Sequence, residues 1–276
     1  IYLFPAMMDL IVGSVFFITS VRYSESNASP LTVTGMMATW ALVYSLSSLA
    51  AGRAVNSSNA AKLIIVSGVT TVFISACYIL VPDLDAQYLW ISLTGLASAF
   101  FFVPFQVFMK SVERGEDGSV VRSTSLYTFS WSTGMACGPF ISGYVWPAYG
   151  WQYCYVLNMV LGAVVTLGVW RLSRRSAESP GVDRGIGLHV QADEYSKMPD
   201  LVRLGWLAAG VGCISVAILR SLFPVKAALL DILKTDQGLI LAILSFTQAF
   251  VGLAFCRSKF WMYKPLPVAL FSLSGL

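Results

Sequence analysis

The sequence predicts an all-α polytopic membrane protein, a helical bundle truncated after eight to nine transmembrane helices. Three observations predict it. Hydrophobic residues make up 57% of the chain and charged residues 12%. A soluble domain carries about 25% charged residues, so lipid is the main solvent. Apolar runs of about 20 residues, the length that crosses the hydrocarbon core, recur between short polar stretches. Lys and Arg gather on alternate connections, as they do on the cytoplasmic side of membrane proteins.

The spans follow in order. The first is expected over 2–20, near Arg22, and the second over 31–51, ending at Gly52-Arg53. The third covers 61–81, the fourth 87–109, the fifth 124–146 and the sixth 152–170. A polar segment, 171–203, separates them from a seventh span at 204–223 and an eighth at 237–256. A ninth begins near Pro265. The expected organisation is an N-terminal six-helix bundle over 1–171, a cytoplasmic interbundle loop over 172–203, and the first part of a second bundle over 204–276. The chain starts at Ile1 and ends inside an apolar run, so a fragment is expected.

Orientation comes from counting basic residues. The connections 52–62, 110–123, 171–203 and 257–264 share one side and hold fourteen of the eighteen Lys and Arg. The other side holds Arg22, Arg220, Lys226 and Lys234. The basic side is expected to be cytoplasmic, together with the N-terminus.

Several function classes are disfavoured. The net charge is +4 and the basic residues are not interleaved with aromatics, so no nucleic acid is expected as partner. Five cysteines stand singly in apolar segments, and the one histidine, His189, lies in a polar loop. Neither a metal site nor a disulfide framework is expected, nor any cofactor. No nucleotide-binding loop with a GxxxxGK[ST] pattern occurs. No catalytic cluster is visible, so the chain does not read as an enzyme.

The sharpest candidate is Asp9, in "FPAMMDLIVG" inside the first span. A carboxylate at mid-bilayer costs about 2.5–3.5 kcal/mol on insertion scales and faces a cavity or a partner. Asp9 is therefore a candidate proton-coupling or substrate-binding group. Its bland alternative is an acid close to a helix start. Tyr127 and Trp131, four residues apart on the fifth span, share a helix face and are candidates for stacking on an organic solute, against ordinary packing or interfacial anchoring. Arg220 and Lys226 read as snorkelling residues near the outer end of the seventh span.

The fifth span also holds "STGMACGPFISG", 132–143. Gly134, Gly138 and Ser142 repeat every four residues and form a small face that lets helix backbones approach in membranes. Pro139 frees the carbonyl of Met135 and bends the span, while neighbouring helices re-satisfy the backbone. One continuous, kinked helix is expected, closely packed on a neighbour.

A repeat is visible as well. Residues 28–53 can be laid on 232–257, with Gly35 near Gly238 and Arg53 near Arg257. Internal repeats of this kind mark transporter folds. Six spans, a long loop and a second set starting the same way resemble the major facilitator superfamily. Gly134-x-x-x-Gly138-Pro139-x-x-Ser142-Gly143 is similar to that family's fifth-helix motif, with Ser142 in place of a glycine. "YGWQYCYVLNMVLG", 149–162, is similar to its entry into the sixth helix. "GRAVNSSNAAK", 52–62, stands where the family has its loop motif between helices two and three. Only Gly52 and the adjacent Arg53 survive there, with Asn56, Ser57, Asn59 and Ala60 in the other places.

The resemblance implies a secondary active transporter that moves a small organic solute by alternating access. Its antiporter-like fifth helix points to proton-coupled export. It implies a plasma-membrane location, a lipid bilayer and protons as partners, and a monomeric unit. It also implies that Gln106, on the fourth span beside Pro104, is a substrate hydrogen-bonding group, with Gln248 its counterpart on the eighth. Gly134, Gly138, Pro139, Ser142 and Gly143 would then form a hinge or seal, packed against the eighth helix. Against this stand a facilitator or uptake symporter on the same fold, and a non-transporting polytopic sensor or assembly protein, which the degenerate loop motif favours.

Overall fold

A computed structural model describes residues 1–112, 120–177 and 202–257. The expected ninth span near Pro265, His189 and most of the interbundle segment lie outside them. Eight helices cover nearly all of the described residues. They are α1 (Leu3–Glu25), α2 (Pro30–Ala54), α3 (Ala60–Leu80), α4 (Leu84–Val112), α5 (Val120–Tyr149), α6 (Trp151–Ala177), α7 (Val202–Leu229) and α8 (Lys234–Arg257). Five of them, α1 to α4 and α6, are long and apolar enough by length and composition to cross a membrane.

Every helix corresponds to an expected span, and most run beyond it. The apolar window ends where side chains turn polar, but the backbone has no reason to leave the helix there. In lipid and at its headgroup edge, unpaired N–H and C=O groups are costly. Thus α6 continues past residue 170 to Ala177, and α7 passes Pro224 to Leu229. α5 likewise runs unbroken through Pro139 and Pro147.

Short turns gather at one end of the bundle, called here the turn end. The turn before α2 is capped by Ser29, whose Oγ accepts from the Thr32 N–H at 3.1 Å, with Pro30 at the first helical position. Arg22 donates to the Pro82 carbonyl at 2.5 Å and lies 4.1 Å over the Trp151 ring. The Tyr23 hydroxyl donates to the Leu84 carbonyl. The ends of α1, α3, α4 and α6 are thereby tied together. At the opposite, basic end, Asn56 and Asn59 cap the turn between α2 and α3. Asn56 Oδ1 accepts from the Ser58 and Asn59 N–H groups at 3.0 and 3.1 Å, and Asn59 Oδ1 from the Asn56 N–H at 2.8 Å.

α1 is the central element. Of its apolar window 72% is buried, against 17% for α2. It packs along α5 and also meets α6, α7, α4 and α2. α2 leaves Leu31, Leu42, Leu46 and Leu49 exposed. α3 joins α4 and α6, with Tyr78 stacked on Tyr155 at 4.6 Å. α8 lies along α5, and α7 meets α1 and α2.

Candidate functional site

The site begins on α1. Asp9 is six residues beyond Leu3, about 9 Å along the helix axis. It is 5% exposed. Among the described residues, no hydrogen bond or ion pair holds its carboxylate. Three side chains from other helices act on Asp9. Tyr44 on α2 and Tyr127 on α5 are close enough to interact electrostatically with Asp9. So is Arg220 on α7. Gln106 on α4 is exposed and within hydrogen-bonding reach of Tyr127.

Rings hold these groups in place. Tyr44 stacks on Trp40 at 4.9 Å with nearly parallel planes, and Trp40 meets Phe16 edge-on at 4.9 Å. Tyr127 stacks on Phe105 at 6.1 Å, and Phe105 on Phe101 at 5.5 Å. Such aromatic pairs add about 0.5–1.5 kcal/mol beyond the area they bury, so the two phenol groups are held by packing around the acid. Trp131, one turn on from Tyr127, is half-buried; Gln248 is exposed on α8.

One turn from Asp9 on the same face of α1, a cleft opens between α1, α5, α7 and α8. It is lined by Gly13, Phe16, Phe17, Met135, Pro139, Leu241 and Arg220. Arg220 Nη2 donates to Ser245 Oγ on α8 at 2.8 Å. This overturns the reading of Arg220 as a snorkelling side chain. Arg220 is nine residues short of the end of α7 at Leu229, about 14 Å along the axis. The apolar window stopped before Pro224, which reads as a helix end. In this bundle the helix passes through that proline and carries Arg220 inward. Lys226, nearer the end, is exposed.

The small-residue face of α5 meets two neighbours. A Cβ at Gly134 would strike the Ala6 backbone, and one at Gly138 would sit 2.5 Å from both the Leu10 oxygen and the Ser14 nitrogen. Both positions are on α1, not on the eighth helix. Ser142 Oγ and Ser14 Oγ are 2.8 Å apart, and Asn158 Nδ2 donates to Ser14 Oγ at 3.3 Å. The Met135 carbonyl, left without its helical donor by Pro139, faces Gly13. It is Gly143 that meets α8. A Cβ there would lie 3.1 Å from the Gly238 Cα, and one at Gly238 would lie 2.5 Å from the Pro139 oxygen.

The family model described as the Major Facilitator Superfamily matches residues 2–275. The chain belongs to the major facilitator superfamily. No curated protein and no solved structure matches it significantly. The family is one of transporters rather than enzymes, and the chain is accordingly a secondary transporter in general outline and an integral membrane protein.

In this major facilitator protein the loop between α2 and α3 carries little of the family's charge pattern. Gly52 and Arg53 are exposed, and a Cβ at Gly52 would meet nothing within 4 Å. The asparagine caps described above shape the turn instead. Sequence reasoning read Arg220 as a snorkelling side chain and gave Tyr44 no role. Tyr44 carried a signal, since Trp40 and Tyr44 stand four apart on one face of α2.

Proposed function

We propose that this protein exchanges protons for a small organic solute, with Asp9 as the proton-carrying group. The solute passes between the six helices α1 to α6 and the set that starts with α7 and α8. One observation supports this most: a carboxylate buried to 95%, without a bonding partner among the described residues, lies within electrostatic reach of Arg220 on α7 and of Tyr44 and Tyr127. An acid kept in an apolar bundle without a fixed partner is costly, and such acids serve proton and ion pathways. A proton or a solute cation neutralises it, and that exchange is what couples the two fluxes.

The direction read from the fifth helix is export, from a cytoplasmic basic end across a plasma membrane. Gln106 and Tyr127 are the hydrogen-bonding groups for the solute, and Trp131 and Gln248 extend the same path. The test is Asp9→Asn in proteoliposomes with an imposed pH gradient. The expected outcome is solute exchange that no longer responds to the gradient. Unchanged coupling would remove Asp9 from the mechanism, and flux without any gradient dependence in the unaltered protein would leave a facilitator. Absence of flux for any solute would favour a sensor or assembly role, the reading that the exposed, weakly matching loop at 52–62 supports.

A further inference from the structure

We infer that the outward face of the α3–α6 pair holds an anionic phospholipid, with its phosphate among Lys62, Arg171 and Arg174 and its acyl chains along the apolar side chains beside them. The inference concerns a lipid partner and is independent of the solute and the coupling proposed above.

Two exposed stripes carry it. On α6, Val156, Val160, Val164 and Leu167 are exposed, and the same stripe continues into exposed Arg171 and Arg174. Spacings of three and four residues put all six on one helix face. On α3, Val66, Val69 and Phe73 are exposed, and exposed Lys62 stands one turn before Val66 on their face. Each stripe has its cations at the basic end only. There the Arg174 guanidinium lies 4.1 Å over the exposed Trp170 ring. Tryptophan is the ring that gathers at headgroup level. From Arg171 back to Val160 is eleven residues, about 16 Å along the axis. That is half of the roughly 30 Å hydrocarbon core, the depth of one leaflet.

The two stripes are neighbours. α3 and α6 run antiparallel and touch through glycine: a Cβ at Gly68 would strike the Thr166 hydroxyl, and one at Gly162 would lie 3.0 Å from Val72 Cγ2. Lys62 is six residues back from Gly68, and Arg171 and Arg174 are five and eight beyond Thr166, so the three cations come level. Val69 follows Gly68 and Leu167 follows Thr166. Each stripe is thus turned about 100° from the contact in the sense of its own helix, which in an antiparallel pair puts both on the same side. Charge selects the occupant. Among the described residues, the acids other than Asp9 are Glu25, Asp83, Asp85, Asp231 and Asp236, all at the turn end. No described carboxylate pairs with the three cations. A second copy fits poorly, because a two-fold contact between copies that point the same way in the membrane sets these cations against their own kind. A free phosphate would leave the stripes unused. An anionic lipid uses both, and basic clusters beside a span attract such headgroups.

The test is native mass spectrometry of the full-length protein in detergent, offered equal amounts of phosphatidylglycerol and phosphatidylcholine with the same chains. Phosphatidylglycerol adducts are expected to be favoured at least about fivefold, the scale of one cation's attraction to an anionic surface. Lys62→Gln and Arg171→Gln should each lower that preference several-fold, and together further. All three cations are exposed, and an unchanged unfolding temperature in phosphatidylcholine micelles confirms that each variant is folded. Arg171→Lys should keep most of the preference. Lys110→Gln, which removes an exposed charge at the basic end of α4, should leave it unchanged. An equal loss from Lys110→Gln would overturn the site, because the attraction would then be spread over the whole basic end. No preference in the unaltered protein would overturn it as well. So would inorganic phosphate retained as firmly as the lipid, which would make this a free-anion site, or a lipid-free dimer as the species observed, which would give the face to a second copy.

Discussion

Toward α1, the glycines of α5 meet backbone at Ala6, Leu10, Gly13 and Ser14, and Ser142, Ser14 and Asn158 are hydrogen-bonded beside them. Toward α8, Gly143 meets Gly238 at comparable closeness. The contact then continues to the Phe129 and Phe250 rings, whose centroids are 6.1 Å apart. At the turn end of α8, Lys234 lies 2.5 Å from Glu25 of α1 and 4.7 Å over the Trp146 ring of α5. Both contacts bring backbones close, which is how helices associate where lipid removes the hydrophobic drive. They differ in what would have to break if the helices moved. The α1 contact is stitched by buried side-chain hydrogen bonds. The α8 contact is made of smooth glycine surfaces and rings, and the half-exposed ion pair beside it, which ties α8 to α1, is of a kind worth about 0–1 kcal/mol. One helix can therefore serve as a fixed wall on one side and a sliding surface on the other.

The largest way to break this comparison is Gly138→Leu. Its new side chain would meet Leu10 and Ser14 backbone at 2.5 Å, and neither backbone can yield without shifting α1. The expected cost is about 3 kcal/mol or more, seen as loss of a monodisperse folded peak and of cooperative thermal unfolding in detergent. A normally stable variant would mean that α1 and α5 are not held as rigidly as the geometry implies.

Next comes Gly238→Val, which places a branched side chain against the Pro139 oxygen. Stability should fall by about 1–3 kcal/mol. Transport should fall further than the folded fraction does, because the obstacle stands on the surface proposed to slide. If flux simply tracks the amount of folded protein, the α8 contact is as static as the α1 contact.

Ser142→Ala gives the smallest effect. It removes one buried interhelical hydrogen bond, worth about 0.6 kcal/mol in membranes. A slightly lower unfolding temperature with unchanged flux is the expected result. Altered transport from so small a change would show that the stitched side moves too.

Much of this architecture is legible in residue order. Asp9 stands out because a charge interrupts an apolar run, and Tyr127 because its ring shares a face with Trp131. The Gly134-Gly138-Ser142 spacing announces a close helix contact before any partner is known. Arg220 was misread because the seventh apolar window stopped at residue 223, which put that side chain near the span's outer end. Tyr44 was hidden because nothing on α2 says that it lies within electrostatic reach of an acid thirty-five residues earlier in the chain.

The residues by themselves determined that the chain forms membrane-spanning helices, roughly where each lies, and which family it belongs to. Those properties depend on hydropathy and short-range spacing, which are local. Tertiary structure alone decided that Gly138 faces α1 while Gly143 faces α8, and that Arg220 bonds Ser245 on α8. Which neighbour each face meets depends on the rotation of each helix about its own axis. That rotation is set by the summed contacts of several helices far apart in the chain, and no single segment encodes it.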